Sequence, residues 1–474
     1  MARACLLPRL VVSLMLPGVA LADSEVDQLK QLVKRLEQRV EELEQRDARI
    51  EKGLETDTLS ENEPEITTRL KALEHQSIGA LKAARTVESL EGLTTGISFT
   101  TVAQRPSGLP AGSAGDQSEL NYRGDVTVGV PLEKFGDIDQ RLFGQIRFGQ
   151  GNGLNGLSTF SAPNATAFAV QSNGASDSTA LVAQAWYQAS IPLPRGGAPQ
   201  RSREKLEVNF GKMDPFVFFD QNAAANDETR QFLNSAFVHN PLLDAGGDIG
   251  ADDNGFAPGL RLSYLNQRSE PESWRLSLGI FGAGEGANFT RSFSPPLAIV
   301  QAERELKLFE GLSGNYRAYY WRNGQAESYT GALERHSGFG LSVDQRYGDA
   351  ITFFGRYGHQ ITGDVRFDRA LTLGAEIGGE YWNRSADAVG VALGRLRTSS
   401  GFAAASATLD INGDGVPDYG YAANANERVA ELYYRYRVSK QFELSPNLQL
   451  VGSPGGDGSA ATISVLGLRA QVTY

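Results

Sequence analysis

Cysteine and histidine are both scarce in this chain of 474 residues, which has one Cys and four His. Cys5 precedes most of an apolar N-terminal stretch that we interpret as a signal peptide, so we expect no thiol in the mature protein. This excludes disulfide bonds, Cys-ligated zinc and iron–sulfur clusters. The histidines form no i, i+4 pair, and no G-x-S-x-G motif occurs. The sequence therefore indicates neither a helical zinc site nor a serine-hydrolase elbow.

Long apolar runs and excess positive charge are also lacking. Beyond the N-terminus, no run reaches the roughly 18 apolar residues of a membrane-spanning helix. Lys and Arg total 45 against 56 Asp and Glu, a formal net charge of -11. Because no basic segment is concentrated enough to follow phosphates, nucleic acid is excluded as a partner.

The N-terminal part of the chain contains two predicted segments. Residues 1–22 form a Sec-type signal peptide, with arginines before or beside a short apolar stretch and an A-x-A cleavage pattern before Asp23. Residues 23–91 form a helical extension that begins as a coiled coil of about four heptads, with the number of helices left open. A single solvated helix is the alternative. The apolar seam consists of Val26, Leu29, Val33, Leu36, Val40, Leu43, Ile50 and Leu54.

From Gly92 onward the periodicity of the sequence changes to two. About sixteen segments alternate apolar and polar residues over lengths that let a tilted strand cross a bilayer. In the last segment, Leu466, Leu468 and Tyr474 share one side. We expect this segment to pair with the first strand, so that no edge is left in lipid. Residues 92–474 are thus predicted to form an all-β, 16-stranded antiparallel transmembrane β-barrel.

The connections between these segments alternate between short and long. Long ones lie at 150–179, 213–255 and 398–426, and short ones include 133–140 and 439–441. Short periplasmic turns and long extracellular loops are typical of bacterial outer-membrane barrels. The sequence therefore predicts the outer membrane of a Gram-negative bacterium, with the lipid bilayer around the barrel and the coiled coil in the periplasm.

Charged residues are frequent on the polar faces of the predicted strands. On a packed face each unpaired charge would cost several kcal/mol, whereas a water-filled lumen would solvate it. We therefore predict an aqueous, Arg-lined pore. The predicted pore-lining residues are Arg123, Arg147, Glu207, Arg261, Arg275, Arg317, Asp344, Arg356, Glu376, Arg435 and Arg469.

Four stretches resemble the corresponding regions of carbohydrate-selective outer-membrane porins of the OprB type, in the same order. They are NFGKMDPFVFFDQNAAANDETRQFLNSAFVHNP (209–241), GNYRAYYW (314–321), GGEYWNRSADAVGVALGRL (378–396) and ELYYRYRVSKQFELSPNLQLVGSPGG (431–456). The resemblance implies a 16-stranded barrel, usually a homotrimer, that passes mono- or oligosaccharides down their gradient and is not an enzyme. The sequence departs from this pattern in its final Tyr474, where Phe is commonest, and in its coiled coil.

The third long connection, 214–254, is implied by the resemblance to fold into the barrel and narrow it. We expect its polar side chains to face the arginines of the opposite wall and to form a constriction with a transverse field. The alternative is that they only brace the loop against the wall. The predicted constriction residues are Asp220, Asn222, Asn226, Asp227 and Glu228.

Three inward aromatic residues are candidates for stacking on sugar rings: Trp186, Tyr319 and Trp321. The alternative places them in the aromatic girdle at the membrane interface. Arginine supplies rigid planar donors that fit sugar hydroxyls, but the same donors fit phosphate or other anions. A porin that prefers anions or phosphate is therefore the competing function.

The seventh long loop contains DINGDGVPD, which follows the first nine positions of an EF-hand-like calcium loop. The candidate ligands are Asp410, Asn412, Asp414 and Asp418. Tyr421 stands where the bidentate Glu is needed and no flanking helices are predicted, so a solvated turn is the alternative. We expect no other cofactor.

A phospholipase activity and an envelope tether are the other functions that such a barrel and coiled coil could serve. A barrel phospholipase needs a Ser–His–Asn/Asp set on the lipid-facing wall. Since His336 and His359 lie in or beside predicted loops, away from that wall, this activity is not indicated. The coiled coil also suggests an envelope tether that binds the cell wall or a partner, a role compatible with transport.

Overall fold

The alternating sequence forms sixteen antiparallel strands that close into a barrel in this computed structural model. The structure describes residues 93–109, 119–154, 156–167, 177–194, 202–243, 251–252, 254–269, 272–309 and 311–474. The predicted signal peptide at 1–22 and helical extension at 23–91 lie outside the described residues. The strands are β1 (Thr94–Ser107), β2 (Glu119–Phe135), β3 (Ile138–Gln150), β4 (Thr179–Leu193), β5 (Glu204–Met213), β6 (Ala257–Asn266), β7 (Ser273–Phe281), β8 (Leu297–Leu308), β9 (Leu312–Glu327), β10 (Leu333–Tyr347), β11 (Ile351–Thr362), β12 (Phe367–Gly378), β13 (Ala388–Thr398), β14 (Glu427–Arg437), β15 (Phe442–Gly452) and β16 (Ile463–Thr473).

The two faces of each strand differ as the alternation predicts. On β16, Leu466 and Leu468 are exposed on the outside of the barrel, while Arg469 and Gln471 are buried inside it. Successive side chains of a strand point to opposite faces. The residues of β16 at even spacing from Leu466 and Leu468 therefore point outward. The prediction of a 16-stranded antiparallel barrel is confirmed.

The barrel is closed by the first and last strands. β1 pairs with β16 in a register that runs from Ser98 opposite Thr473 to Ser107 opposite Ser464. At the chain end, the backbone N–H of Tyr474 donates to the carbonyl of Ile97 (2.8 Å), and the reverse bond measures 2.9 Å. Closure of this kind leaves no strand edge in the hydrocarbon.

One end of the barrel has tight turns, and the other has long loops. The β10–β11 turn contains Gly348 at a φ of 59°, a left-handed conformation that glycine adopts without steric cost. The predicted short connection at 133–140 is shorter than expected, because β2 continues to Phe135 and β3 begins at Ile138. Four long loops are named here: L2 (151–178), L3 (214–256), L7 (399–426) and L8 (453–462).

In the part of the chain that the structure describes, the helices are short and lie outside the strands. The α-helices are Ser235–Val238 and Ser400–Ala405, and the 3₁₀ helices are Pro215–Val217, Gly284–Asn288, Gly379–Trp382 and Pro454–Gly456. None of the helices in the described part of the chain is long and apolar enough to cross a membrane.

The apolar core of this protein lies inside the barrel, between L3 and the wall. Phe232 and Phe237 of L3 are fully buried and lie 5.4 Å apart between ring centroids. Phe232 also contacts Tyr433 of β14 edge-on at 5.0 Å. The lumen is therefore occupied in part by packed loop side chains.

Candidate functional site

A band of paired charges follows the inner wall, because the strand register sets opposite charges side by side. Arg275 of β7 is the direct cross-strand partner of Glu303 of β8, which is in turn the partner of Arg317 of β9. Side chains in such positions lie about 4.5–5.5 Å apart at Cβ, within reach of an ion pair. Arg317 reaches further to Asp344 of β10 at 2.8 Å.

The same pattern continues in both directions around the wall. Glu207 of β5 accepts hydrogen bonds from Arg275 (2.6 Å) and from Arg261 (3.2 Å). On the other side, Asp125 of β2 accepts a bond of 2.7 Å from its cross-strand partner Arg147. These carboxylates hold the guanidinium groups in fixed orientations on the inner wall.

L3 leaves β5 and folds into the barrel. Asp214 caps the helix Pro215–Val217 by accepting the N–H of the second helical residue. The aromatic side chains that follow are buried. Phe218 lies 4.8 Å from the guanidinium of Arg261, and Phe219 is completely enclosed. Burial of these rings directs the rest of L3 across the lumen.

Asp220 is the first polar anchor of L3 on the far wall. It is fully buried and has a φ of 54°, a left-handed conformation that Asp tolerates better than most residues. Its carboxylate pairs with Arg356 (3.2 Å) and accepts the hydroxyl of Tyr319 (2.7 Å) and the N–H of Asn240 (2.6 Å). Its own N–H donates to the amide oxygen of Gln301 (2.9 Å). One side chain thus ties L3 to β9 and β11.

Arg469 of β16 is the second anchor. Its guanidinium donates to three successive parts of L3, the carbonyls of Glu228 (2.9 Å), Arg230 (2.7 Å) and Gln231 (2.7 Å). Five donors in a rigid fork make arginine suited to this role. Arg469 therefore clamps the backbone of L3 to the last strand.

Glu431 of β14 is the third anchor. It accepts the N–H groups of Leu233 (2.7 Å) and Asn234 (2.9 Å), and the side chain of Asn234 donates to Gln449 of β15 (3.1 Å). Buried backbone N–H groups need acceptors, and here the barrel wall supplies them.

Two ion pairs complete the attachment of L3. Arg123 of β2 donates to Glu228 at 2.7 Å, and Arg230 donates to Glu443 of β15 at 2.9 Å. L3 consequently contacts the wall from β8 to β11, from β14 to β16, and at β2. It lies across the lumen and narrows it.

L2 and L8 are both tied to β14, and L2 also contacts L3. Glu427 of β14 accepts the N–H groups of Phe160 (2.7 Å), Ser161 (3.2 Å) and Gly455 (2.8 Å). The N–H of Ala165 in L2 donates to the carbonyl of Leu233 in L3 (2.8 Å). These bonds hold L2 and L8 at the long-loop end of the barrel.

The predicted constriction residues of L3 lie where the polar anchors are. Asn222 donates to the carbonyl of Val343 on β10 (3.0 Å), and Asp227 accepts the N–H of Thr229 within the loop (3.0 Å). The backbone N–H of Asn226 donates to Gln231 (2.8 Å). These contacts, with those of Asp220 and Glu228 above, hold L3 in place, and the role of this set in solute passage stays a prediction.

The predicted pore-lining residues all lie on the inner face, and most are covered by L3. Arg147 and Arg275 keep side-chain exposures of 15% and 24%, whereas Arg356, Arg435 and Arg469 are almost fully buried. The sequence predicts that water solvates these charges. The structure instead supplies carboxylates and loop carbonyls, as in the bond of 3.0 Å from Arg435 to Glu376. Their role as pore lining stays a prediction.

The three aromatic candidates are buried in contacts with protein. Trp186 meets Phe218 edge-on with ring centroids 5.7 Å apart, Tyr319 donates to Asp220, and Trp321 has no exposed surface. None of the three lies in an exposed girdle. A sugar could stack on them only after L3 moves, so that role also stays a prediction.

The calcium candidate in L7 uses its carboxylates for backbone contacts. Asp410 accepts the N–H groups of Gly413 (2.8 Å) and Gly415 (2.8 Å), and Asp414 accepts that of Val416 (2.8 Å). Within the described residues, no three His, Cys, Asp or Glu side chains are arranged to hold a metal ion. Calcium binding by Asp410, Asn412, Asp414 and Asp418 stays a prediction.

Further along L7, Tyr421 connects this loop to L8. Its hydroxyl donates to the carbonyl of Gly455 (3.0 Å). Burial raises the pKa of Tyr421 to about 12, so the hydroxyl keeps its proton and remains a donor at neutral pH.

The expectation that both barrel histidines lie away from the lipid-facing wall holds for His336 and fails for His359. His359 lies on the outward face of β11, where its ring stacks on Phe339 (5.3 Å) beside the Tyr357 hydroxyl (3.3 Å). The expectation that it lies away from the lipid-facing wall is wrong, because β11 continues past it. His336 is buried in β10, 3.1 Å from Glu334.

Sequence reasoning missed several charged residues that pair along the inner wall or hold the loops. Arg230, Glu303, Glu427, Glu431 and Glu443 were not among the predicted site residues. Parity would have found two of them, because Glu427 and Glu431 lie at even spacings from the predicted inward Arg435 on the same strand.

The closed sixteen-stranded barrel with a loop held inside its lumen is the architecture of a porin, a channel-forming protein of the outer membrane. The model of the OprB family of carbohydrate-selective porins matches residues 120–474. The chain belongs to this family. Its fold and family are those of a channel rather than of an enzyme.

Three solved structures are similar to this chain to different degrees, and the first of them supports the fold. The high-pH structure of Pseudomonas putida OprB has 19% identity and a TM-score of 0.63, covering 83% of this chain and 97% of that chain. The low-pH structure of the same protein has 15% identity and a TM-score of 0.46, with 84% and 97% covered. A mutant of the Rh. blastica porin has 9% identity and a TM-score of 0.42, with 81% and 100% covered. The comparison with curated proteins found no significant match.

Proposed function

We propose that this protein is a passive channel through which mono- and oligosaccharides cross the outer membrane. The observation that carries the proposal is the pairing of the inner-wall arginines with carboxylates, as in Arg317 with Asp344 and Arg356 with Asp220. A wall whose cations are already paired attracts an anion weakly, yet it presents many oriented donors and acceptors to neutral hydroxyls. Family membership supports the same solute class.

The first solute contacts that we propose are the inward arginines with the most exposed side chains. Arg147, Arg230 and Arg275 have side-chain exposures of 15%, 17% and 24%. We propose that the more deeply buried arginines of the predicted pore lining set the shape of the wall and the position of L3.

Sugar passage is tested in liposomes and in planar bilayers. We expect glucose and maltose to swell liposomes that contain the protein, and added sugar to reduce single-channel ion conductance. Arg275→Gln should weaken this sugar block roughly tenfold, because a charged hydrogen bond contributes about 1.5–3 kcal/mol. Arg322→Gln, an exposed arginine on the outside of β9, is the matched control. Block by phosphate alone would overturn the sugar proposal and favour an anion channel.

We propose a homotrimer as the working assembly, on the basis of family membership. Mass measurement of the detergent-solubilised protein tests the copy number. A mass of one chain would contradict the trimer.

We also propose that residues 23–91 form a periplasmic coiled coil that binds the cell wall or an envelope partner. Deleting 23–91 should loosen the envelope and leave sugar permeation intact. Unchanged envelope cohesion would argue against a tether.

Calcium in L7 remains a proposal that rests on the DINGDGVPD sequence. Thermal unfolding with calcium and with chelator tests it. Equal midpoints would rule out an ordering ion.

A further inference from the structure

Four arginines lie together on the outside of the barrel, where β12, β13 and β14 approach the long loops. Arg369 is the direct cross-strand partner of Arg397, and Arg395 is that of Arg428. We call these four residues the outer arginine patch. Like charges directly opposite one another destabilise a sheet, so this arrangement favours a bound anion that neutralises them.

The position of the patch follows from strand parity. Leu371, Leu393 and Leu432 lie at even spacings from the arginines on the same three strands and are 45%, 65% and 48% exposed. The arginines therefore point away from the lumen. Arg395 and Arg428 share a cross-strand row with Leu371, and Arg369 and Arg397 form the next outward row toward the long-loop end of the barrel. That is the border between the apolar band and the extracellular surface.

An aromatic group beside the patch marks the same border. His359 of β11 is the direct cross-strand partner of Arg369, and its ring stacks on Phe339. Tyr357 is the partner of Leu371 one row further down. Aromatic rings of this kind sit at the level of the lipid headgroups.

Little within the protein balances the charge of the patch. Arg397 pairs with Asp368 at 3.0 Å. Arg369, Arg395 and Arg428 form no ion pair or side-chain hydrogen bond with any residue that the structure describes. The chain as a whole carries a net charge of -11, so this local excess of positive charge runs against the overall balance.

We propose that the outer arginine patch binds the phosphate groups of the phosphorylated glycolipid in the outer leaflet, the lipid A part of lipopolysaccharide. Guanidinium groups bind phosphate oxygens through paired, charge-assisted hydrogen bonds. Leu393 and Leu432, in the rows below the patch, lie where the acyl chains of the same lipid would run. A free anion could use the arginines but would gain nothing from that apolar surface.

The experiment measures binding of diphosphorylated lipid A to the detergent-solubilised protein, with dephosphorylated lipid A and inorganic phosphate as competitors. We expect the triple variant R369Q/R395Q/R428Q to bind diphosphorylated lipid A at least tenfold more weakly than the unmodified protein. The control variant K134Q/R268Q/R304Q removes the same charge from exposed residues toward the short-turn end of the barrel and should bind normally.

Each alternative occupant gives a distinct result. Equal binding by the triple variant, or equal competition by dephosphorylated lipid A, would overturn the proposal. Displacement of lipid A by millimolar inorganic phosphate would show a free-anion site instead. A change in mass of the assembly in the triple variant would show a contact between copies. Liposome swelling with sugar should not change, which separates this proposal from the proposed transport function.

Discussion

Hydrogen bonds from three residues converge on Asp387, in the connection between β12 and β13. Its carboxylate accepts bonds from the Arg384 guanidinium, the Tyr434 hydroxyl and the backbone N–H of Arg437 (2.9 Å). Burial alone would raise the pKa of Asp387, but these bonds outweigh it and hold the pKa below its usual range. The ionised carboxylate thus stabilises the folded barrel.

Asp387→Asn should lower the thermal stability of the barrel at pH 7, because the amide accepts these bonds less well. The folded-state pKa lies below the unfolded value of about 3.9. The stabilisation is therefore present above that pH and is lost as the pH falls through the folded-state pKa. Thermal unfolding should show a gap between wild type and variant at pH 7 that shrinks below about pH 4. Asp349→Asn, an exposed carboxylate in the β10–β11 turn, is the control. A gap of equal size at both pH values would contradict the prediction.

At the residue scale, the sequence predicts the face of the strand on which a side chain lies, but not the residue that it contacts. Alternation placed Arg123 and Arg469 on the inner face, where the structure has them. It did not show that Arg123 would meet Glu228, since the two are 105 positions apart. Only the path of L3 through the lumen brings such residues together.

L3 has little regular structure of its own, and the wall holds it in place. Its only α-helix is Ser235–Val238, in the part of L3 that the structure describes. Side chains of Arg356, Glu431 and Arg469 supply the acceptors and donors that its backbone lacks. The position of L3 therefore depends on a small number of buried side chains.

Asp220→Asn should loosen L3 and raise single-channel conductance and its noise. Asn tolerates the left-handed backbone at this position, so the change removes the charge without straining the chain. It leaves the buried Arg356 without its ionic partner, which costs about 3–5 kcal/mol in comparable sites. Bilayer recordings measure the effect. Asp349→Asn, an exposed position in the β10–β11 turn, should leave conductance unchanged, and an unchanged Asp220→Asn channel would show that the anchor is dispensable.

At the scale of elements, the strands could be predicted and the inward loop could not be derived from periodicity. The long connections expected at 150–179 and 398–426 match the gaps between β3 and β4 and between β13 and β14. The sequence of L3 has no regular alternation of apolar and polar residues, so only the resemblance to a family indicates that it folds inward. Its anchors depend on contacts between distant parts of the chain.

For the molecule as a whole, the outward face must match the hydrocarbon around it. Leu468 lies near the middle of β16 and is 49% exposed on that face. Val472 lies on the same face near the end of the strand. An arginine is most costly at the centre of the bilayer and much less so near its surface.

Leu468→Arg should therefore destabilise the barrel by about 2–4 kcal/mol, and Val472→Arg by only about 0–1 kcal/mol. Denaturant unfolding of the protein in lipid vesicles measures both. Similar losses for the two variants would mean that the barrel does not sit in the bilayer at this height.

For the whole molecule, the sequence predicts closure of the barrel but not the packed side chains inside its lumen. The apolar side of the last segment predicts a strand that faces lipid. Because lipid cannot satisfy the backbone polar groups of a free strand edge, this strand must pair with another, and the barrel must close. The packed core around Phe232 and Phe237 was not predicted, because charged inner faces suggested water throughout.

The hold of Arg469 on L3 joins positions 238 to 241 residues apart in the chain. Contacts of such long range form late when a protein folds. The attachment of L3 to Arg469 cannot form until the final strand is in place, so it is completed together with closure of the barrel. A chain that stops before β16 would lack both a closed barrel and this attachment of L3. An unregulated leak through an incompletely assembled barrel would therefore end when the last strand is inserted.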